Sequence, residues 1–180
     1  QGPAGSATPH VIVKFSGAGG SAAEQRWADL LLCEHHAAQA LASMADQTVA
    51  RTRILQTAGR TFLEVERFDR VGRWGRKPLL SLATADAGLI GARTSEWPAM
   101  LRRLLALKLC DEATVAATDQ RWWFGRLIAN SDMHTGNLSL QPESRAGASP
   151  RLQLAASYDM LPMLLAPLQG GALRAAADKA

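Results

Sequence analysis

In the first part of the chain, hydrophobic and polar positions alternate as in β-strands in some segments and show helical spacing in another. Residues 10–15 alternate with β-branched side chains and predict a short strand. Residues 22–44 show helical spacing, with one face made of Trp27, Leu30, Leu31, Ala38 and Leu41. Two further strands are predicted at 48–56 and 60–68, separated by the turn signal Ala58-Gly59. The pattern therefore predicts a small antiparallel sheet that carries one helix.

The second part of the chain is mainly helical in pattern. Helices are predicted at 82–91, 97–109 and 111–129, with Pro98 in a first turn, and two short strands at 138–141 and 152–154. Residues 72–78 read as a loop or hairpin tip. We therefore expect an α+β fold with a β-rich lobe (10–71), a helical lobe (72–168) and a cleft between them. Residues 1–9 and 169–180 are expected to be a flexible leader and tail.

Composition narrows the class of protein. The 180 residues are 47% hydrophobic and 20% charged, which is typical of a folded domain. No apolar run reaches the roughly 18 residues that a membrane span needs, so we expect no membrane association. Cys33 and Cys110 both lie in leucine-rich helical patterns, which favours buried thiols in a reducing cytoplasm over a disulfide or a zinc site.

The net charge of +4 comes from scattered arginines, with small clusters at 51–53 and 67–76. No long run of like charge is present, so direct nucleic-acid binding by this segment is not expected. Five tryptophans raise the idea of base stacking. Core packing is favoured for the four that fall in helical patterns, namely Trp27, Trp97, Trp122 and Trp123.

A polar turn at 130–137 is the strongest candidate for chemistry. Asp132 and Asn137 are separated by four residues on a non-helical stretch that precedes a strand. Phosphoryl transfer uses such a pair, with the Asp near the attacking hydroxyl and the Asn on a magnesium ion. The alternative is a capped turn in which both side chains satisfy backbone donors. His134 in the same turn either touches the Asp or a phosphate, or orders the loop by hydrogen bonding; the second role is favoured.

Two further residues fit the same chemistry. Asp159 stands between apolar runs, where burial is costly unless the carboxylate is paired or binds a metal; an N-cap role is the alternative. Lys14 lies on the first predicted strand and shares a face with Ile12, from which it could neutralise phosphates; the alternative is a solvated edge lysine. These residues occur in the order in which a kinase uses them: strand lysine, helix, D-x-x-x-x-N loop, metal-binding Asp.

The segments VIVKF, EVERFDR (64–70), LIANSDMHTGN (127–137) and SYDMLPM (157–163) resemble the HipA-type serine/threonine kinases of bacterial toxin–antitoxin systems. The likeness is closer to the YjjJ branch, through RWADLL, GRTFLEVERFDR and WWFGRLIANSDMHTGNLSL. It covers about residues 10–165. Members of the family have a longer N-terminal part with a loop over the phosphates, so we expect this chain to be an excerpt of a longer protein.

The resemblance implies a two-lobed kinase-like fold with ATP and Mg²⁺ between the lobes. By position, Lys14 contacts the ATP phosphates, Glu66, Arg67 and Phe68 form the hinge beside adenine, Asp132 is the catalytic Asp, and Asn137 and Asp159 hold magnesium. Glu24 and Glu34 are both candidates for the helix glutamate of the family. Arg67 and Arg70 either steer phosphates or lie in solvent.

The predicted function is transfer of the ATP γ-phosphoryl group to a protein hydroxyl. The predicted partners are a protein substrate and an antitoxin-type DNA-binding protein. Two alternatives stay open: a nucleotide-binding or regulatory module without catalysis, and a DNA-associated component of a toxin–antitoxin complex.

Overall fold

Three antiparallel strands form the first sheet of the computed structural model, which describes residues 8–92, 94–143 and 151–173. They are β1 (Val11–Phe15), β2 (Thr52–Thr57) and β3 (Arg60–Glu66), with β3 in the centre. Lys14 pairs with Leu63, so the two side chains share one face of the sheet. The second strand begins later than predicted, because Val49 instead forms an isolated parallel bridge with Ser157.

The long helix α1 (Ala22–Ala42) packs against the inner face of this sheet. Its first turn is fixed by a capping box, in which Ser21 accepts from the Glu24 amide and Glu24 accepts from the Ser21 amide. Leu31 joins the cluster of the first sheet, whereas Leu41 joins the larger core of the second part of the chain. The helix thus connects the two apolar clusters.

A short hairpin follows the first sheet, at the place where the sequence predicts a loop or hairpin tip. It consists of β4 (Arg70–Val71) and β5 (Gly75–Arg76), paired antiparallel. The chain then passes into the helical part.

Three helices supply half of the buried residues of the larger core. They are α2 (Leu82–Ala85), which continues as a π-helical turn over Asp86–Ile90, α3 (Trp97–Ala106) and α4 (Glu112–Leu127). Pro98 stands in the first turn of α3, as predicted, where its missing amide hydrogen costs nothing. The fully buried side chains of this core include Leu82, Trp97, Met100, Leu101, Leu104, Leu138 and Leu140.

A second small sheet closes the fold, in the order β6-β7-β8. It contains β6 (Leu80–Ser81), which the sequence pattern does not predict, β7 (Ser139–Glu143) and β8 (Arg151–Leu154). Residues 144–150 of the predicted turn between the last two strands, and residues 1–7 and 174–180 of the predicted leader and tail, lie outside the described residues. The combination of small antiparallel sheets with helices agrees with the α+β prediction.

The predicted burial of several side chains is wrong. Trp97 is buried and Trp122 packs on it edge to face at 5.5 Å, but Trp27 is 38% exposed and Trp123 is 63% exposed. Cys110 is buried as predicted, whereas Cys33 lies on the exposed side of α1. Helical spacing shows that apolar residues share a face of a helix. It does not show whether another element of the fold covers that face. Among the described residues, no helix is both long and apolar enough to cross a membrane.

Candidate functional site

Lys14, Glu34 and Asp159 meet between the first sheet and the long helix. Lys14 Nζ donates to both carboxylate oxygens of Glu34, at 2.7 and 2.9 Å, and also to Asp159. Strand alternation turns Lys14 inward, and Glu34 lies on the buried stripe of α1 that includes Leu30 and Leu31. The structure therefore brings together two predicted site residues and a helix glutamate.

Glu24, the other candidate for the helix glutamate, has a different set of partners. Its carboxylate accepts from the amides of Gly19 and Ser21, at 3.1 and 3.0 Å, and from the Ser21 hydroxyl at 2.7 Å. These hydrogen bonds lower its pKa. Glu24 therefore caps α1, and Glu34 is the glutamate that pairs with the strand lysine.

Burial and pairing determine the charges of Lys14, Glu34 and Asp159. Burial acts to lower the pKa of Lys14, but the Glu34 and Asp159 carboxylates outweigh it and leave that pKa above its ordinary value. Burial raises the pKa of Glu34, which is only 3% exposed, although the Lys14 ammonium acts to lower it. Lys14 is thus a cation at neutral pH, and two carboxylates surround it.

The polar turn after α4 is held by Asn130, which is buried. Its side-chain oxygen accepts from the Asp132 amide at 3.0 Å, and its side-chain nitrogen donates to the Asp159 carbonyl at 3.3 Å. Asn137 Nδ2 donates to the Asp132 carbonyl at 2.9 Å. Asn130 therefore fixes both aspartates through one amide. Sequence reasoning missed this role, although a polar residue directly after a helix end was visible in the pattern.

Close packing brings α4 against both aspartate segments. A Cβ atom at Gly125 would lie 2.5 Å from Met133 Sδ and 3.2 Å from Met160 Sδ, so only glycine permits this approach. Met133 follows Asp132, and Met160 follows Asp159. The apolar neighbours of the two aspartates thus anchor them to the same helix. Asp159 itself has a φ of 54°, in the left-handed region where a non-glycine residue is uncommon and which is enriched at functional sites.

His134 orders the turn, which is the role that sequence reasoning favours for it. Its Nδ1 accepts from the Gly136 amide at 3.0 Å and so caps the 3₁₀ turn Thr135–Asn137. The carbonyl of His134 in turn accepts from Trp97 Nε1 at 3.2 Å. The ring is exposed and faces the same cavity as Asp132.

One cavity of about 460 Å³ collects most of the predicted site residues. Its polar lining consists of Lys14, Glu34, Asp132, His134, Asn137 and Asp159. Its apolar lining includes Trp27, which explains why this tryptophan is not in the core. Four acidic or amide side chains and one lysine therefore face a single space.

An adjoining cavity of about 370 Å³ contains the predicted hinge. Glu66, Arg67 and Phe68 line it, and it shares Lys14, Glu34 and Asp159 with the first cavity. The Phe68 amide donates to the Glu66 carbonyl at 3.0 Å, and the Arg67 amide donates to the His10 carbonyl at 3.0 Å. The predicted hinge thus lines this cavity with the apolar ring of Phe68, and these two amides are already engaged.

The guanidinium groups of Arg67 and Arg70 both engage the same carboxylate, that of Asp69. Arg67 donates twice to the Asp69 carboxylate, each time at 2.6 Å, and Arg70 lies 3.3 Å from the same carboxylate. The Arg67 hydrogen bonds hold the pKa of Asp69 below its usual value. Both arginines therefore brace the segment that the sequence predicts as the hinge.

Tyr158 connects the hinge to the polar turn, a role that sequence reasoning missed. Its hydroxyl donates to the Gly136 carbonyl at 2.9 Å and lies 2.7 Å from Ser139 Oγ. Its ring stacks on Phe68 with centroids 5.8 Å apart. Burial raises the pKa of this hydroxyl. The residue directly before Asp159 thus links the predicted hinge to the polar turn.

The donor set near Asp132 suits magnesium better than a transition metal. Asn137 uses its side-chain nitrogen on the Asp132 carbonyl, so its oxygen is the atom left for a cation. Together with the Asp159 carboxylate it offers oxygen ligands, which Mg²⁺ prefers and usually supplements with phosphates and water. Among the described residues, no group of three or more His, Cys, Asp or Glu side chains is placed to hold a metal by itself. The residues fit a metal ion that arrives with a nucleotide.

Comparison with known proteins shows what this arrangement is similar to. The family model of the HipA-like C-terminal domain matches residues 3–179. The toxin YjjJ of Escherichia coli (strain K12) is 43% identical over 177 residues, which are 98% of this chain and 38% of that protein. HipA of Shewanella oneidensis MR-1, solved with HipB and its operator DNA, shares the fold with a TM-score of 0.58 at 22% identity, over 86% of this chain and 38% of that one. The chain therefore spans less than half the length of these relatives.

Proposed function

The chain belongs to the HipA-like C-terminal domain family, and on this basis we propose that it carries the ATP-binding and catalytic residues of a serine/threonine protein kinase of the toxin type. In this proposal residues 10–71 and 72–168 form the two lobes of a kinase-like fold, with ATP between them, and the protein works in the cytoplasm. The observation that carries the proposal is the single cavity that Lys14, Asp132, Asn137 and Asp159 line together.

Each residue has a role in direct transfer. The hydroxyl oxygen of a serine or threonine bonds to the γ-phosphorus while the bond from that phosphorus to the β–γ bridging oxygen breaks and ADP leaves. Asp132 orients the hydroxyl and takes its proton, and Lys14, fixed by Glu34, neutralises phosphate charge. Magnesium, when bound by Asn137 and Asp159, supplies further charge neutralisation. Phe68 provides an apolar wall for the adenine ring.

Local charge supports a requirement for a divalent cation. Lys14 contributes one positive charge, whereas Glu34, Asp132 and Asp159 place three carboxylates around the same cavity. A nucleotide polyanion meets net repulsion there unless a cation accompanies it. We therefore expect ATP to bind at millimolar Mg²⁺ and to bind much more weakly when EDTA removes the metal.

The decisive experiment compares binding with transfer. Asp132→Ala removes the proton acceptor but leaves the groups that hold phosphate and metal, so we expect ATP affinity by calorimetry to stay within about threefold. Transfer from γ-labelled ATP should fall by about 10²-fold or more. Asp29→Ala, at an exposed carboxylate on α1, is the matched control and should change neither quantity. The absence of ATP binding in the unmodified protein, or full transfer by the Asp132 variant, would refute the proposal.

A nucleotide-binding module without catalysis is the second candidate. It is favoured by the contact of Lys14 with Asp159 and by the engaged hinge amides, both of which a bound nucleotide has to displace or avoid. The same experiment separates the two candidates, because this one predicts magnesium-dependent ATP binding with no transfer above background.

The partners follow from the family context. HipA of Shewanella oneidensis is solved with HipB and operator DNA, and we propose an antitoxin-type DNA-binding partner for this protein, together with a protein substrate. Copurification of such a partner encoded beside the chain would support this, and its failure would leave the catalytic proposal intact.

A further inference from the structure

The hairpin formed by β4 and β5 stands out from the surface in an ordered conformation. All residues from 71 to 79 are exposed. The hairpin is nevertheless anchored: His10 Nε2 donates to the Arg73 carbonyl at 2.9 Å, and the Lys77 amide donates to the Asp69 carbonyl at 2.8 Å. Such an element buries little apolar area of its own, so its side chains are available to a partner.

Two glycines fix the shape of the tip. Gly72 has a φ of 54°, a conformation that other residues rarely adopt. A Cβ atom at Gly75 would lie 2.6 Å from the Val71 carbonyl oxygen. Between them, Trp74 is 83% exposed, and the Arg73 guanidinium lies over its ring at 5.1 Å from the centroid. The arginine covers one face of the indole, and the residue still presents most of its surface to solvent.

The hairpin is also strongly basic. Residues 70–77 contain Arg70, Arg73, Arg76 and Lys77 and no acidic residue. Arg70 is paired with Asp69. Within the part of the chain that the structure describes, the ion pairs found do not include the other three. An exposed indole therefore lies under the Arg73 guanidinium, and two further cations, Arg76 and Lys77, follow it within three residues on the same hairpin.

We propose that this hairpin binds single-stranded nucleic acid, with Trp74 stacking on an unpaired base and the basic side chains contacting the phosphates on either side. Stacking of a base on an aromatic side chain is tolerant of sequence, and an arginine on the opposite face adds a cation–π contribution. A duplex keeps its bases stacked and hidden, and a run of acidic side chains alone offers no flat ring to stack on the indole. The combination of indole and cations favours unpaired nucleic acid over both. This function goes beyond the proposed phosphoryl transfer. It also revises the expectation of no direct nucleic-acid binding, which rested on charge runs and not on the exposure of Trp74.

The test measures binding of the full chain to a short fluorescein-labelled oligothymidylate by anisotropy at several salt concentrations. We expect Trp74→Ala to weaken binding about tenfold. We expect the double variant Arg73→Ala/Arg76→Ala to reduce the slope of log K against log salt by about 1.4, or about 0.7 for each phosphate that is no longer neutralised. Trp123→Ala and Arg103→Ala/Arg126→Ala remove the same groups from other exposed positions and should leave both quantities unchanged. Asp132→Ala should also bind normally.

Several outcomes would overturn the proposal. The first three are the absence of binding at low salt, equal losses in the control variants, and equal competition by polyglutamate, which would show a response to negative charge alone. Preference for duplex over single strand with no effect of Trp74→Ala would also reject it. Because all substituted positions are exposed, circular dichroism should show unchanged folding, so that each loss reports on binding.

Discussion

At the scale of single residues, the environment of Lys14 decides its charge. Its two carboxylate partners come from positions 20 and 145 residues further along the chain. These carboxylates leave the pKa of Lys14 above its ordinary value of 10.5. The stability that the Lys14 ion pairs contribute is therefore fully present below pH 10.5 and is lost only as the pH rises through the higher pKa of the folded state. The charged form, which the proposed contact with phosphate requires, is therefore present throughout the neutral range.

The two cysteines should differ sharply in reactivity. Cys110 is buried, and burial raises the pKa of its thiol to about 11, so its thiolate is both scarce and inaccessible at neutral pH. Cys33 is exposed. We expect one equivalent of thiol to react rapidly with Ellman's reagent and the second to react only in denaturant. Cys33→Ser should abolish the rapid phase and Cys110→Ser should retain it; rapid reaction of both thiols would contradict the assignment.

The residue scale also shows what sequence reasoning could reach. Strand alternation correctly placed Lys14 on the same face as Ile12, since both line the cavity beside the hinge. It could not choose between Glu24 and Glu34, because a glutamate suits both a capping box and an ion pair. It misplaced Trp123, because an apolar residue on a helix is buried only if another element covers that face, and this depends on the tertiary fold.

At the scale of elements, α4 positions both aspartate segments, so its ends matter. Its N-cap is Asp111, whose carboxylate accepts from the Thr114 amide at 2.9 Å and from the Thr114 hydroxyl at 2.7 Å. These hydrogen bonds lower the pKa of Asp111. The cap therefore stabilises the protein above the ordinary carboxyl pKa of 3.8 and loses strength as the pH falls through the lower folded value.

Substitution of this cap should change stability in a pH-dependent manner. Asp111→Ala should lower the free energy of unfolding by about 1 kcal/mol at pH near 7. Asp111→Asn caps as well and does not titrate, so its free energy of unfolding should be close to that of the unmodified protein at pH near 7. At about pH 3 the Asn variant should become the more stable of the two, because the unmodified cap weakens as Asp111 is protonated. Urea unfolding of the three proteins at both pH values measures this. Equal stability of the Ala variant, or a constant offset for the Asn variant, would show that the cap does not act in this way.

The elements differ in how visible they are in the sequence. The helices α1, α3 and α4 were predicted because each runs for at least two turns, long enough for helical spacing to show. The strand β6 has two residues, too few for any alternation, and it exists because Leu80 pairs with Leu140 of β7. The predicted strand at 48–56 begins late because its first residues bridge to Ser157, a distant pairing that no local pattern contains.

At the scale of the whole molecule, Arg121 ties α4 to two distant segments. It is 2% exposed, and its guanidinium donates to Gln47 Oε1, the Thr48 carbonyl and the Ala155 carbonyl at 3.1, 3.3 and 3.0 Å. Burial lowers its pKa to about 10, so it stays charged at neutral pH. The Ala50 amide donates to the Ser157 carbonyl, and the Ser157 amide donates to the Thr48 carbonyl. Because Arg121 holds the same Thr48 carbonyl, it also supports the segment that leads to Asp159.

We expect Arg121→Met to loosen this junction before it unfolds the protein. The buried Ala155 carbonyl would be left without this donor, at a cost of about 1–3 kcal/mol. The Thr48 carbonyl would keep the Ser157 amide as a donor, and the Met side chain replaces only the apolar part of the arginine. Hydrogen exchange at the Ala50 and Ser157 amides should become faster, with a loss of global stability measured by urea. Arg121→Lys should recover only part of the loss, because one ammonium cannot reach three acceptors as a planar fork does. Arg126→Met, at an exposed position of the same helix, should change neither quantity; unchanged exchange in the Arg121→Met protein would show that the junction is held by its backbone hydrogen bonds alone.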